Sequence, residues 1–127
     1  MRLGPLFSPS TSSAGAAASL WTGRWPTSHG VIDSDHALPP DAWTLPGAAG
    51  ASGARSAALL EEPLLTVTRI AGFDTTVEDA ELDDDYLIEQ STRFLREHAD
   101  ERTLLWIHLA DAGPRGTRLE EVLAGLQ

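Results

Sequence analysis

The chain has 127 residues, enough for one small domain with a single core. Nineteen acidic and nine basic residues give a formal net charge of −10, which repels phosphate backbones, so we expect no nucleic-acid partner. All nine basic residues are arginine and there is no cysteine, which excludes lysine Schiff bases, disulfides, thiolate metal sites and cysteine nucleophiles. No apolar run is long enough to span a membrane, and residues 3–7 are too short a run for a signal peptide, so no compartment is assigned.

The first part of the chain is predicted to be helix and loop. The alanine-rich segment that ends at Trp21 favours a helix capped by Thr11, Ser12 or Ser13 and terminated by Gly23. Residues 25–41 are expected to form a loop, and residues 43–52 a short helix opened by Thr44.

The second part carries most of the charge and the clearest periodicity. We expect residues 1–58 to be loop-rich and residues 59–127 to be the better ordered α/β part of the same domain. The predicted elements are strands at 55–60 and 64–70, an acidic connection at 72–81, a helix at 83–99, a strand covered on both faces at 103–109 and a helix at 117–126. This order predicts an α/β fold with helices packed on a short, mostly parallel sheet.

Several segments follow an order that is typical of one protein family. ASLWTGRWP followed by HGV is similar to ASLLTGRYP followed by HGV, and TL with GARSA seven residues later is similar to TL-x7-GYRTA. GFD matches a turn motif, while FLREH and LLWIHLAD are similar to a helix and strand that read FL..H and FLWVHL.D. Together these segments resemble the central part of the sulfatase domain, in the alkaline-phosphatase superfamily; they lie at residues 18–31, 44–57, 72–74 and 94–111.

The resemblance implies hydrolysis of a small sulfate or phosphate ester by a nucleophile at a helix N-terminus beside a divalent cation. Ser13 lies at the position where the family has a cysteine matured to formylglycine, a serine or a threonine. The proline, serine and basic residue that follow this position in the family are replaced here, and the alternative role of Ser13 is a helix cap. His29 and His108 are the candidate bases, with a turn residue and a core histidine as the respective alternatives.

The metal site that the resemblance implies is only partly represented in the sequence. The aspartate pairs of the family and its GKWHLG motif have no counterpart here, and the PH that follows the strand is replaced by Ala-Gly. The candidate ligands for calcium, magnesium or manganese are Asp33, Asp35, His36 and Asp111, and a solvated loop is the alternative for the first three. The acidic run at 78–85 lacks the spacing of an EF-hand and favours a charged helix start.

Two functions from different classes are compatible with these observations. One is a metal-dependent sulfate or phosphate ester hydrolase with Ser13 as the nucleophile. The other is a non-catalytic, sulfatase-derived fragment whose exposed sheet edges make it form a homo-oligomer or associate with a fuller subunit.

Overall fold

The computed structural model describes residues 7–61, 71–78, 84–109 and 124–125, which form helices and a parallel sheet. The α/β fold class predicted from the sequence is therefore confirmed. In chain order the elements are α1 Ser13–Thr22, α2 Pro26–His29, α3 Leu45–Ala51, β1 Arg55–Leu60, β2 Thr75–Glu78, α4 Asp84–Glu97 and β3 Thr103–His108. No helix among the described residues is long and apolar enough to cross a membrane.

Local signals define the ends of α1 and α3 as predicted. Ser12 is the extended N-cap residue of α1, and Gly23 ends the helix with φ 66°, a left-handed conformation that glycine adopts without a Cβ penalty. The Gly23 amide donates to the Ser19 carbonyl at 2.9 Å. Thr44 caps α3, because its hydroxyl accepts a hydrogen bond from the Gly47 amide at 3.2 Å.

Two elements correct the sequence predictions. The segment expected to be a loop at 25–41 contains α2, a single helical turn favoured by Pro26 in its first turn and by Gly30 at its end with φ 79°. The expected connection at 72–81 contains β2, where two β-branched threonines and a valine pair with β1.

The sheet has the order β2-β1-β3, and both strand pairs are parallel. β1 is the central strand of the three, and every one of its residues after Arg55 is buried. β3, predicted from residues 103–109 as a strand covered on both faces, lies at one side of the described sheet and is only partly buried.

The two faces of the sheet pack against different helices. Successive strand residues point to opposite faces, so Ala58 and Leu60 share one face with their register partners Trp106 and His108. Helix α1 covers this face, and its Trp21 packs edge-on against Trp106, with ring centroids 5.3 Å apart. α4 contacts β1 and β3 and buries Leu87 outside the α1 cluster.

Several sequence predictions fall outside the described residues. They are the strand at 64–70, Asp111 and nearly all of the helix at 117–126, of which the structure describes only the helical residues 124 and 125. Gly125 lies against Ile88 of α4, where a Cβ atom at Gly125 would be 2.9 Å from the Ile88 side chain.

Candidate functional site

Ser13 and His108 line the same cavity, which has a volume of about 310 Å³. Ser13 is the first residue of α1, and His108 is the last residue of β3. The cavity therefore lies between the N-terminal end of a helix and the carboxyl end of a parallel strand. In open α/β sheets, ligands commonly bind outside the carboxyl ends of the strands.

Hydroxyl groups dominate the wall of the cavity on the α1 side. Within the preceding segment, the Ser8 hydroxyl donates to the Ser10 carbonyl at 2.6 Å, and the Ser12 amide donates to the Ser10 hydroxyl at 3.1 Å. The first amides of an α-helix have no partner within the helix, and their partial positive charge favours an anion. This wall consists of Ser8, Ser10, Thr11, Ser12 and Ser13.

Gly15 allows this hydroxyl-rich segment to fold back onto α1. A Cβ atom at Gly15 would lie 2.5 Å from the Ser10 hydroxyl oxygen, closer than Cβ atoms come, and 3.2 Å from the Val31 carbonyl oxygen, a tight contact. Glycine is unfavourable inside a helix, by about 1 kcal/mol relative to alanine. Its presence in α1 is explained by this close approach.

Strand register brings His108 to the cavity. His108 pairs with Leu60, and its carbonyl accepts a hydrogen bond from the Glu61 amide at 3.1 Å, which extends the pairing one residue beyond β1. Trp106, two residues earlier, lies on the same face and also lines the cavity. Sequence analysis did not select Trp106, although the two-residue period of the strand places it beside His108.

His29 lies in a different place, buried between α1 and α2. Its Nδ1 accepts a hydrogen bond from the Val31 amide at 3.1 Å, so its proton is on Nε2, 2.8 Å from the Ser19 hydroxyl oxygen. The Ser19 hydroxyl in turn donates to the Gly15 carbonyl at 2.8 Å. Burial lowers the pKa of His29 below its ordinary value. In this arrangement His29 is a neutral donor to Ser19, and it does not line the cavity that holds Ser13.

Asp33, Asp35 and His36 lie in one turn after α2, outside that cavity. Asp33 Oδ1 accepts hydrogen bonds from His36 Nδ1 at 2.5 Å and from the Asp35 amide at 3.0 Å. The hydrogen bond from His36 lowers the pKa of the Asp33 carboxyl. These bonds occupy the Asp33 oxygen with internal donors.

The described residues do not fit the metal site that the resemblance implies. They contain no group of three or more His, Asp or Glu side chains that could hold a cation. Asp111, the remaining candidate ligand, falls outside the described ranges.

The cavity combines three features that suit a small anionic ester. They are a hydroxyl at a helix N-terminus, an imidazole at the end of β3 and further hydroxyl groups in the wall. Comparison of the chain with protein-family models and with curated proteins finds no match.

Proposed function

We propose that this protein hydrolyses small sulfate or phosphate esters in the cavity between α1 and β3, with Ser13 as the nucleophile and His108 as the base. The observation that carries the proposal is that these two residues, far apart in the sequence, line one cavity. The resemblance of residues 18–31 and 94–111 to sulfatase motifs supports the same class of reaction.

The first chemical step transfers the sulfuryl or phosphoryl group to the protein. The Ser13 oxygen attacks the sulfur or phosphorus atom while its proton passes to the imidazole of His108. The bond to the oxygen of the leaving alcohol breaks, and that oxygen takes the proton from His108. The negative charge that builds up on the transferred group lies at the N-terminus of α1, whose amides stabilise it.

The second step restores the enzyme. His108 takes a proton from water, and the resulting hydroxide attacks the transferred group on Ser13. The bond between this group and the Ser13 oxygen breaks, sulfate or phosphate leaves, and the imidazolium returns its proton to the serine. One ester and one water are consumed, and one alcohol and one inorganic anion are formed.

The experiment that tests this proposal measures release of 4-nitrophenol from 4-nitrophenyl sulfate and 4-nitrophenyl phosphate. Ser13→Ala and His108→Gln are each expected to lower kcat by about 100-fold or more, the effect typical of losing a nucleophile or general base. Ser28→Ala is the matched control, because Ser28 is an exposed serine in α2 that does not line the cavity. Equal turnover by the wild type and Ser13→Ala would rule out the assigned nucleophile.

A second candidate function is association without catalysis, as a binding or oligomerisation module. The observation that favours it is the position of β3, which lies at one side of the described sheet with partly exposed side chains. Parallel sheets are normally covered on both faces, and a strand edge can pair with another chain. Light scattering over a roughly hundredfold range of protein concentration tests it, since association makes the mass rise with concentration. A constant monomer mass contradicts association between copies.

A further inference from the structure

A second cavity, of about 400 Å³, lies beside α1 and is separate from the one that holds Ser13 and His108. Ala16 and Leu20 line both cavities. These two residues are four positions apart in α1 and lie on one face of the helix, so they form a ridge between the two cavities. We call the second cavity the Trp25 cleft; besides the ridge residues, Pro9, Arg24 and Trp25 line it.

The wall of the Trp25 cleft is apolar and exposed. The Trp25 side chain is 68% exposed and that of Leu20 is 60% exposed, and both line the cleft. Large apolar side chains that are exposed next to one another in a concave surface are typical of a binding site. The flat indole of Trp25 suits a planar aromatic ring, which can stack on it or pack edge-on against it.

Arg24 adds a positive charge to this apolar cleft. Among the described residues, the Arg24 guanidinium has no ion-pair partner, whereas Arg55 is paired with Glu101 and Arg93 with Glu89. Arg96 also lacks a carboxylate partner among the described residues, and Arg102 donates to the Ser52 carbonyl, but neither lines the cleft. Arg24 therefore supplies the positive charge of the Trp25 cleft. A guanidinium binds a carboxylate through two parallel hydrogen bonds.

We propose that the Trp25 cleft binds a small aromatic carboxylate, whose ring packs against Trp25 and Leu20 and whose carboxylate pairs with Arg24. This site does not depend on the chemistry of Ser13, because Ser13 does not line the cleft. The aromatic ring packs on the exposed apolar wall, and the carboxylate pairs with the Arg24 guanidinium, which has no ion-pair partner among the described residues.

Isothermal titration of the full chain with 2-naphthoate tests the proposal. We expect saturable binding that Arg24→Gln weakens by about fivefold, as for an ion pair at an exposed site worth about 1 kcal/mol. Trp25→Ala is expected to weaken it at least as much. Arg96→Gln and Trp43→Ala are matched controls that remove an exposed arginine and an exposed tryptophan outside the cleft. Both controls, and Ser13→Ala, are expected to bind like the wild type.

A neutral analogue separates the contribution of charge from that of the ring. 2-Naphthalenemethanol is expected to bind the wild type about fivefold more weakly than 2-naphthoate, and Arg24→Gln is expected to bind the two ligands equally. Circular dichroism and thermal melting of each variant establish that it is folded. Absence of saturable binding to the wild type, or equal weakening by Trp43→Ala and Trp25→Ala, would overturn the proposal.

Discussion

The carboxylate of Asp74 accepts two hydrogen bonds from Ser56, one from its backbone amide at 2.8 Å and one from its hydroxyl at 3.2 Å. The Asp74 amide donates back to the Ser56 hydroxyl at 3.0 Å. Ser56 is the second residue of β1, and Asp74 immediately precedes β2. This reciprocal contact fixes the register in which Ala57 pairs with Thr75.

Removing the Asp74 carboxylate is expected to destabilise the fold. Asp74→Ala leaves the buried Ser56 amide without an acceptor, at a cost of about 1–3 kcal/mol in the free energy of unfolding. Urea denaturation measures this change. Asp100→Ala, at an exposed position without a comparable contact, is the control and should change stability by less than about 0.5 kcal/mol. Equal effects of the two substitutions would show that the Ser56–Asp74 contact does not stabilise the sheet.

Trp21 is expected to be the largest single contributor to the core on the α1 face. It is 1% exposed and packs edge-on against Phe73 and Trp106, with ring centroids at 5.4 and 5.3 Å. Trp21→Ala should cost about 3–5 kcal/mol, a large part of the stability of a small domain. Thermal and urea denaturation measure the loss. Trp43→Ala, which removes a tryptophan that is 58% exposed, should have a far smaller effect.

His29 is expected to make stability depend on pH. Its pKa is lowered in the folded state because the ring is buried, so below the ordinary value of 6.5 the unfolded chain binds more protons than the folded chain. The neutral ring therefore contributes its full stabilisation above pH 6.5. This stabilisation is lost as the pH falls from 6.5 through the lowered pKa of His29. Protonation would also place an N–H on Nδ1, facing the Val31 amide that now donates to it.

A comparison of variants isolates the contribution of His29 from that of the carboxyl groups. The free energy of unfolding is measured at several pH values for the wild type and for His29→Gln, which has no titrating ring. We expect the difference between the two proteins to shrink as the pH falls below 6.5. Thr27→Ala, an exposed substitution that removes no titrating group, is the control. A difference that does not vary with pH would contradict the assignment of a buried neutral His29.

Much of the secondary structure could be predicted because local signals define it. α1 and α3 have recognisable caps in Gly23 and Thr44, and α4 has acidic residues at its start and Arg96 in its last turn. β2 was missed because four residues are too few to establish an alternating pattern. Its strand conformation depends on pairing with β1, which a local pattern does not contain.

The candidate site could be predicted only in part, because it depends on contacts between elements that are distant in the sequence. Ser13 and His108 were selected separately, by resemblance and by residue type, but their placement in one cavity depends on the packing of α1 against β3. His29 was selected as a base, whereas its contacts with Val31 and Ser19 arise when α2 packs on α1. Asp33 and His36 were grouped as candidate metal ligands, whereas their mutual hydrogen bond depends on the conformation of the turn after α2.

Intact-mass and peptide mass spectrometry of the protein, quenched during turnover of 4-nitrophenyl sulfate or phosphate, tests directly whether Ser13 is the nucleophile. The reaction is run with calcium, magnesium or manganese and with a chelator, so that any cation requirement is measured independently of the nucleophile. We predict a covalent adduct of about 80 Da on Ser13 in the wild type, and its absence in Ser13→Ala. Turnover without an adduct on Ser13, or no turnover under any of these conditions, would contradict this prediction.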